Sequence, residues 1–397
     1  VTVEIKRDTS LLLSVWLLAA ATLMSLLSTL IAPPATANYL HIPAPKVVRW
    51  ANILCEFSDK DEHLHPKSYY QDLVGNEYGG MEHYWEDVSY GRMDLKIDEI
   101  YGWYRLPKPQ RYYNNNEPWE VAERFYRHCL NAADKHLRLR DYYGFTFWAN
   151  GKLQNRGWGF PATVDREGKQ RNYGFTIMSE PETWDFDSWA PGGVLAHEMG
   201  HGFGLQHSGG CRSCEYNMWD LMGSIGQQCT KQERYRGPPG DVESSEYFCI
   251  PQHPLSFQKW RLGWINRDET YVARPASDRI VTLFPVSRGP GNGFLWLKVP
   301  LPGDRPGFFF VEAREFEGYD VETVAEAITI YRWDTRPAST GDDPYVIDTD
   351  GDARPNDEEA MWRPGETFMH EQSRIRITVM SQNADGSWEV RVRVPSA

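Results

Sequence analysis

AHEMGHGFGLQHS, residues 196–208, places three of the chain's 11 histidines beside one glutamate and three glycines. His197 and His201 are four residues apart, so at 3.6 residues per turn their imidazoles stand one above the other on a single helix face. Glu198 follows the first of them, where its carboxylate can reach a water on a metal ion without ligating the ion itself. The helix must then stop for a third ligand to arrive from another direction. Gly204 supplies the stop, because glycine accepts the positive φ of a helix end, and His207 can turn back to the metal. Three neutral imidazoles leave one coordination position open, the mark of a catalytic rather than a structural zinc site. Asp187 or Ser188 is placed to cap this helix and Pro191 to open it. Gly192, Gly193, Gly200 and Gly202 are poor helix formers, so close packing or substrate approach must account for them.

Around this stretch the order of elements indicates an α/β (α+β) domain. KVVRWANILCEF (46–57) reads as a first strand and residues 118–138 as a helix with Val121, Phe125, Cys129 and Ala132 on its buried face. Two further strands, 141–150 and 171–179, are separated by LQNRGWGFPATV, which reads either as the lining of a substrate groove or as a surface loop with buried aromatics. A second helix is expected over 253–265, ending at Gly263. Beyond it, RIVTLFPV, FLWLKVPL, GFFFVEARE, AITIYRW, SRIRITVMS and SWEVRVRV are short strand-like runs between turn residues, so residues 269–397 read as an all-β sandwich.

With 397 residues, two domains and a targeting segment are expected. Residues 1–37 read as a signal peptide: Lys6 and Arg7 precede the apolar run 11–32, and Ala35-Thr36-Ala37 offers a cleavage site. That run is longer than a usual signal core, so an uncleaved membrane anchor is the alternative. The catalytic domain would then be 38–268 and the sandwich 269–397, both secreted or held on the outer face. A net charge of −13 without a basic run excludes nucleic acid and anionic lipid surfaces as partners, leaving membrane contact only through residues 11–32. A monomer is expected. Six cysteines in an exported chain imply up to three disulfides, with Cys55 paired to Cys129 and Cys211, Cys214, Cys229 and Cys249 paired among themselves.

DTDGDARPNDEE (348–359) sets Asp348, Asp350 and Asp352 at alternate positions with Glu359 at the twelfth, which echoes a calcium loop but departs from it at Gly351, Ala353 and Pro355; a solvated acidic turn is the alternative. His63 and His65 read as part of a polar loop rather than a second metal site. The tryptophans near the zinc motif read as core.

The zinc pattern, HEMGHGFGLQH, resembles that of the metzincin metallopeptidases. YWEDVSYGRMDL (84–95), WDLMGS (219–224) and KWRLGWI (259–265) are similar to blocks of the bacterial immune inhibitor A-like secreted peptidases, with the gametolysin-like group as a neighbour. The likeness spans roughly residues 45–397 and implies a zinc endopeptidase acting on protein or peptide substrates. It also implies a methionine turn beneath the zinc histidines, matched by Met222, with Met218 as the runner-up. Ser224 stands where some metzincins carry an auxiliary tyrosine, so no tyrosine switch is expected. In the implied mechanism Glu198 takes a proton from a water at the metal's open position and hands it to the leaving amine. The competing expectation is a catalytically inactive, zinc-containing module that binds protein or glycan.

Overall fold

A computed structural model describes residues 44–396, apart from 98, 115–116, 156, 167–168, 181–190, 210–216, 218, 224–250, 292, 303–306, 322, 335–343 and 348–359. The expectations for residues 1–37, Asp187, Ser188, Met218, Ser224, the calcium loop with Asp348, Asp350, Asp352 and Glu359, and the four remaining cysteines lie outside the described residues. The chain mixes helices with several sheets, an α+β architecture.

The first sheet contains β1 (Val47–Glu56), β2 (Asp94–Lys96), β3 (Ile100–Arg105), β4 (Gly144–Ala149), β5 (Gly157–Arg166) and β6 (Lys169–Met178). Its order is β2-β1-β4-β6-β5, with β3 also on β1; every pairing is parallel except the antiparallel β5–β6 hairpin. Helices α1 (Lys67–Val74), α2 (Met81–Val88), α3 (Pro118–Ala133), α4 (Pro191–Gly202) and α5 (Ser256–Arg261) accompany it. Strand β4 is buried along its whole length, as a parallel strand covered on both faces must be. On one face Val121, Phe125 and Cys129 of α3 join Ile53, Cys55, Phe145, Phe147 and Phe175 in a single core. The expected Cys55–Cys129 disulfide ties β1 to α3 there, with Cα atoms 5.9 Å apart. Helix α3 stops at Ala133, short of the expected 138, and Leu137 and Leu139 drop from the turns that follow into the same core.

The opposite face carries α4. Trp50 fills the space beneath the helix end, donating to Thr146 Oγ1 at 2.9 Å, and a Cβ on either Gly174 or Gly202 would sit 2.8 Å from its ring. Gly202 is therefore demanded by packing. Of the stretch LQNRGWGFPATV, which reads either as groove lining or as a surface loop, residues 157–164 belong to the ten-residue strand β5. Pro161 is tolerated because β5 is the outer strand of the sheet among the described residues.

The C-terminal strands form two sheets. β7 (Thr270–Val272), β9 (Trp296–Pro300), β10 (Gly307–Arg314), β11 (Ala327–Asp334) and β12 (Tyr345–Val346) run in the order β12-β11-β10-β9-β7, while β8 (Ser277–Leu283), β13 (Thr367–His370), β14 (Ile375–Gln382) and β15 (Trp388–Val394) run β13-β14-β15-β8. Val299, Phe309, Val311 and Ile330 of the first share a core with Leu283, Ile377, Val379 and Val390 of the second. Because strand side chains alternate, Phe308, Phe310, Glu312 and Arg314 face the other way, and there Phe310 lies 5.7 Å from Phe257 of α5. β10 is thus buried on both faces, which is why GFFFVEAR reads as an almost unbroken apolar run. Pro43–Ala397 forms one compact unit. Among the described residues no helix is long and apolar enough to cross a membrane.

Candidate metal centre

Helix α4 holds His197, Glu198 and His201, and its end follows the sequence reading. Gly204 has φ +90°, its N–H donates to the His201 carbonyl at 2.8 Å, and the Leu205 N–H donates to the Gly200 carbonyl at 2.9 Å. This pair of bonds is the left-handed helix stop that glycine permits. It turns the chain so that His207 meets the other two rings.

The three Nε2 atoms converge: His197 to His201 is 3.1 Å, His197 to His207 3.2 Å and His201 to His207 2.9 Å. Nδ1 of His197 lies 2.8 Å from the Leu221 carbonyl and Nδ1 of His201 2.8 Å from the Leu205 carbonyl. A carbonyl only accepts, so these two Nδ1 atoms carry the protons and the Nε2 lone pairs of His197 and His201 face one another. Lone pairs pressed together in this way repel unless a cation sits among them. Metal–nitrogen bonds of about 2.0–2.1 Å in a tetrahedron set ligands about 3.3 Å apart, close to the observed spacing. The three histidines can hold a metal ion, and the all-imidazole donor set suits a transition metal rather than calcium.

Burial and the neighbouring rings keep His197 and His201 neutral. His197 is pushed well below the ordinary imidazole value, first by burial and then by His201 and His207; His201 is lowered to about 4 for the same reasons. Burial is graded across the trio: His197 is buried, His201 half-buried and His207 exposed, so the accessible side of the cluster is the His207 side.

Glu198 is buried against β5. A Cβ on Gly157 would stand 2.7 Å from Glu198 Cγ, and one on Gly159 only 1.9 Å from the Glu198 carbonyl oxygen. The Gly159 N–H also donates to the Glu198 carboxylate, which partly offsets the effect of burial; burial is the larger, raising the carboxyl to about 8. A divalent cation among the rings opposes that rise by Coulomb attraction. The alternating Gly-x-Gly of GWG was the available sequence signal, since glycines two apart on a strand mark close approach of another backbone. Trp158 lies on the other face of β5, packed against the α3 core, and is not part of the site.

Met222 lies beneath the helix: a Cβ on Gly200 would come 2.5 Å from its Sδ, so Gly200 and Met222 fit as a pair. The Met222 carbonyl also accepts from the Ser208 N–H at 3.2 Å, beside the third ligand. His63 and His65 do not approach the trio: His63 stacks on Trp103 and bonds Glu56 at 2.8 Å, and His65 stacks on Tyr69. The carbonyls of Leu205 and Leu221, which orient His201 and His197, were beyond sequence reasoning because any residue presents a carbonyl. Comparison of the whole chain with protein-family models and with curated proteins gave no match.

Proposed function

We propose that the protein is an exported zinc endopeptidase in which His197, His201 and His207 hold the ion and Glu198 is the general base. In this reading residues 38–268 are a metzincin-like catalytic domain, similar to the immune inhibitor A-like peptidases, and residues 269–397 are a β-sandwich. The observation that carries it is the convergence of three Nε2 atoms within 3.2 Å of one another next to a buried carboxylate. Zinc held there supplies Lewis-acid polarisation of an attacking water and of the scissile carbonyl.

The chain's own groups do the rest. Glu198, with the Gly159 N–H fixing its carboxylate, accepts the proton of the attacking water and passes it to the leaving amine. Gly157 and Gly159 leave room for it by presenting no side chain. β5 is the outer strand among the described residues and lies against α4, so it offers backbone groups to which an extended peptide can add as a further strand. That favours cleavage within a chain. The buried Cys55–Cys129 disulfide suits an oxidising, extracellular setting.

The test is casein digestion by the wild type and by Glu198→Ala, each with its zinc content measured and with a chelator control. Chelator-sensitive cleavage, lost in a variant that still holds zinc, is the expected result. A wild type that binds zinc and cleaves nothing would instead support the binding-module reading.

A further inference from the structure

We propose that Arg314, on β10 of the C-terminal sheet, is a positioning residue of the metal centre, acting through residues 219–222 and Ser208. The inference rests on the zinc reading above and adds to it the part of the chain that sets the ligand geometry.

The guanidinium of Arg314 is fully buried on the face of β10 turned away from the C-terminal core. It donates to the Trp219 carbonyl, to the His253 carbonyl at 3.2 Å and to Asp320 Oδ2 at 2.7 Å. Its Nε lies 3.1 Å from Glu312 Oε1, poorly aligned for a hydrogen bond, so that contact is charge pairing. Only a planar fork reaches this many acceptors in fixed directions; an ammonium does not.

What the fork fixes is the loop under the zinc helix. The Trp219 carbonyl takes Arg314. Asp220 accepts from the Leu255 N–H at 3.1 Å and from Ser208 Oγ at 2.5 Å. The Leu221 carbonyl takes His197 Nδ1, and the Met222 carbonyl takes the Ser208 N–H. Residues 219–222 thus connect Arg314 to His197 and to Ser208, the residue after His207. The segment after His207 is also held by the C-terminal sheet: the Gly209 N–H donates to the Pro344 carbonyl at 2.9 Å, and the Val346 N–H of β12 to the Gly209 carbonyl at 3.1 Å. His207, the exposed ligand on a non-helical segment, takes its position from partners in that sheet.

The test compares full-length wild type, Arg314→Lys and Ser208→Ala, with Val390→Ala as a control that weakens the C-terminal core without touching the relay. Zinc affinity is measured by chelator competition, and the visible absorption of cobalt-loaded protein reports ligand geometry. Outer partners of metal ligands typically change affinity by about 10–100-fold. Arg314→Lys and Ser208→Ala should therefore bind zinc at least about tenfold more weakly and alter the cobalt spectrum, with far-ultraviolet circular dichroism intact. Val390→Ala should lose thermal stability yet keep wild-type zinc affinity. Wild-type affinity in folded Arg314→Lys and Ser208→Ala overturns the proposal, as does an equal loss of affinity in Val390→Ala. If Arg314→Lys does not fold, Ser208→Ala decides. A wild type that binds no zinc overturns the zinc reading as well, which separates the two failures.

Discussion

Glu198 is held by two glycines that leave it no slack. With Gly159 donating to its carboxylate and Gly157 against its Cγ, the side chain has one place to be. Glu198→Gln keeps that shape and removes the base, so kcat/KM on a peptide substrate should fall by about 10²–10⁴-fold while zinc content is unchanged. Gly159→Ala meets a backbone oxygen that cannot move aside, and should cost about 1–3 kcal/mol, read as a lowered midpoint in urea. Gly200→Ala should cost less, because the atom it meets is Sδ of a flexible methionine. At this scale the histidines, Glu198 and Gly204 were legible because helical period and the helix stop are local. Gly200 and Gly202 were visible only as anomalies, since their reasons, Met222 and Trp50, lie far away in sequence.

Elements whose signals are local were also readable: β1, α3 and β10 appear close to where their patterns place them. β5 was not, because glycine and proline depress strand propensity and only its pairing with β6 makes it a strand. The Cys55–Cys129 link between β1 and α3 spans 74 residues, and replacing both cysteines by alanine should remove ~2–4 kcal/mol, measured by denaturant unfolding. His253, just before α5, has Nδ1 2.7 Å from Lys259 Nζ, and burial first, then Lys259 and Arg314, hold it well below 6.5. Below about pH 6.5 the unfolded chain takes up a proton that the folded chain refuses, so stability falls as pH drops. Asp220, raised to about 6 by burial, has the opposite sign: its contribution is lost as pH rises from about 4 through 6. His253→Asn should therefore flatten the acid side of the melting temperature against pH relative to wild type. An unchanged slope would assign that acid sensitivity to other groups.

Across the whole molecule the histidine motif is readable in sequence, whereas the backbone contact of the segment after His207 with the C-terminal sheet is not. Arg314 follows Glu312 and Ala313 in an alternating strand, a pattern that equally describes a solvated edge; only the approach of Trp219 and α5 makes it interior. A fragment of residues 44–268 lacks Phe308, Phe310 and Arg314, against which α5 and the Trp219 loop pack. It should fail to unfold cooperatively, as seen by calorimetry. The double covering of β10 bears on what a cut in the backbone would do. A nick in the segment between Arg261 and Thr270 should sever the polypeptide without separating the pieces, because the face of β10 that packs on α5 and the Trp219 loop still joins them. Limited proteolysis there should yield two bands after denaturation and one particle in native buffer.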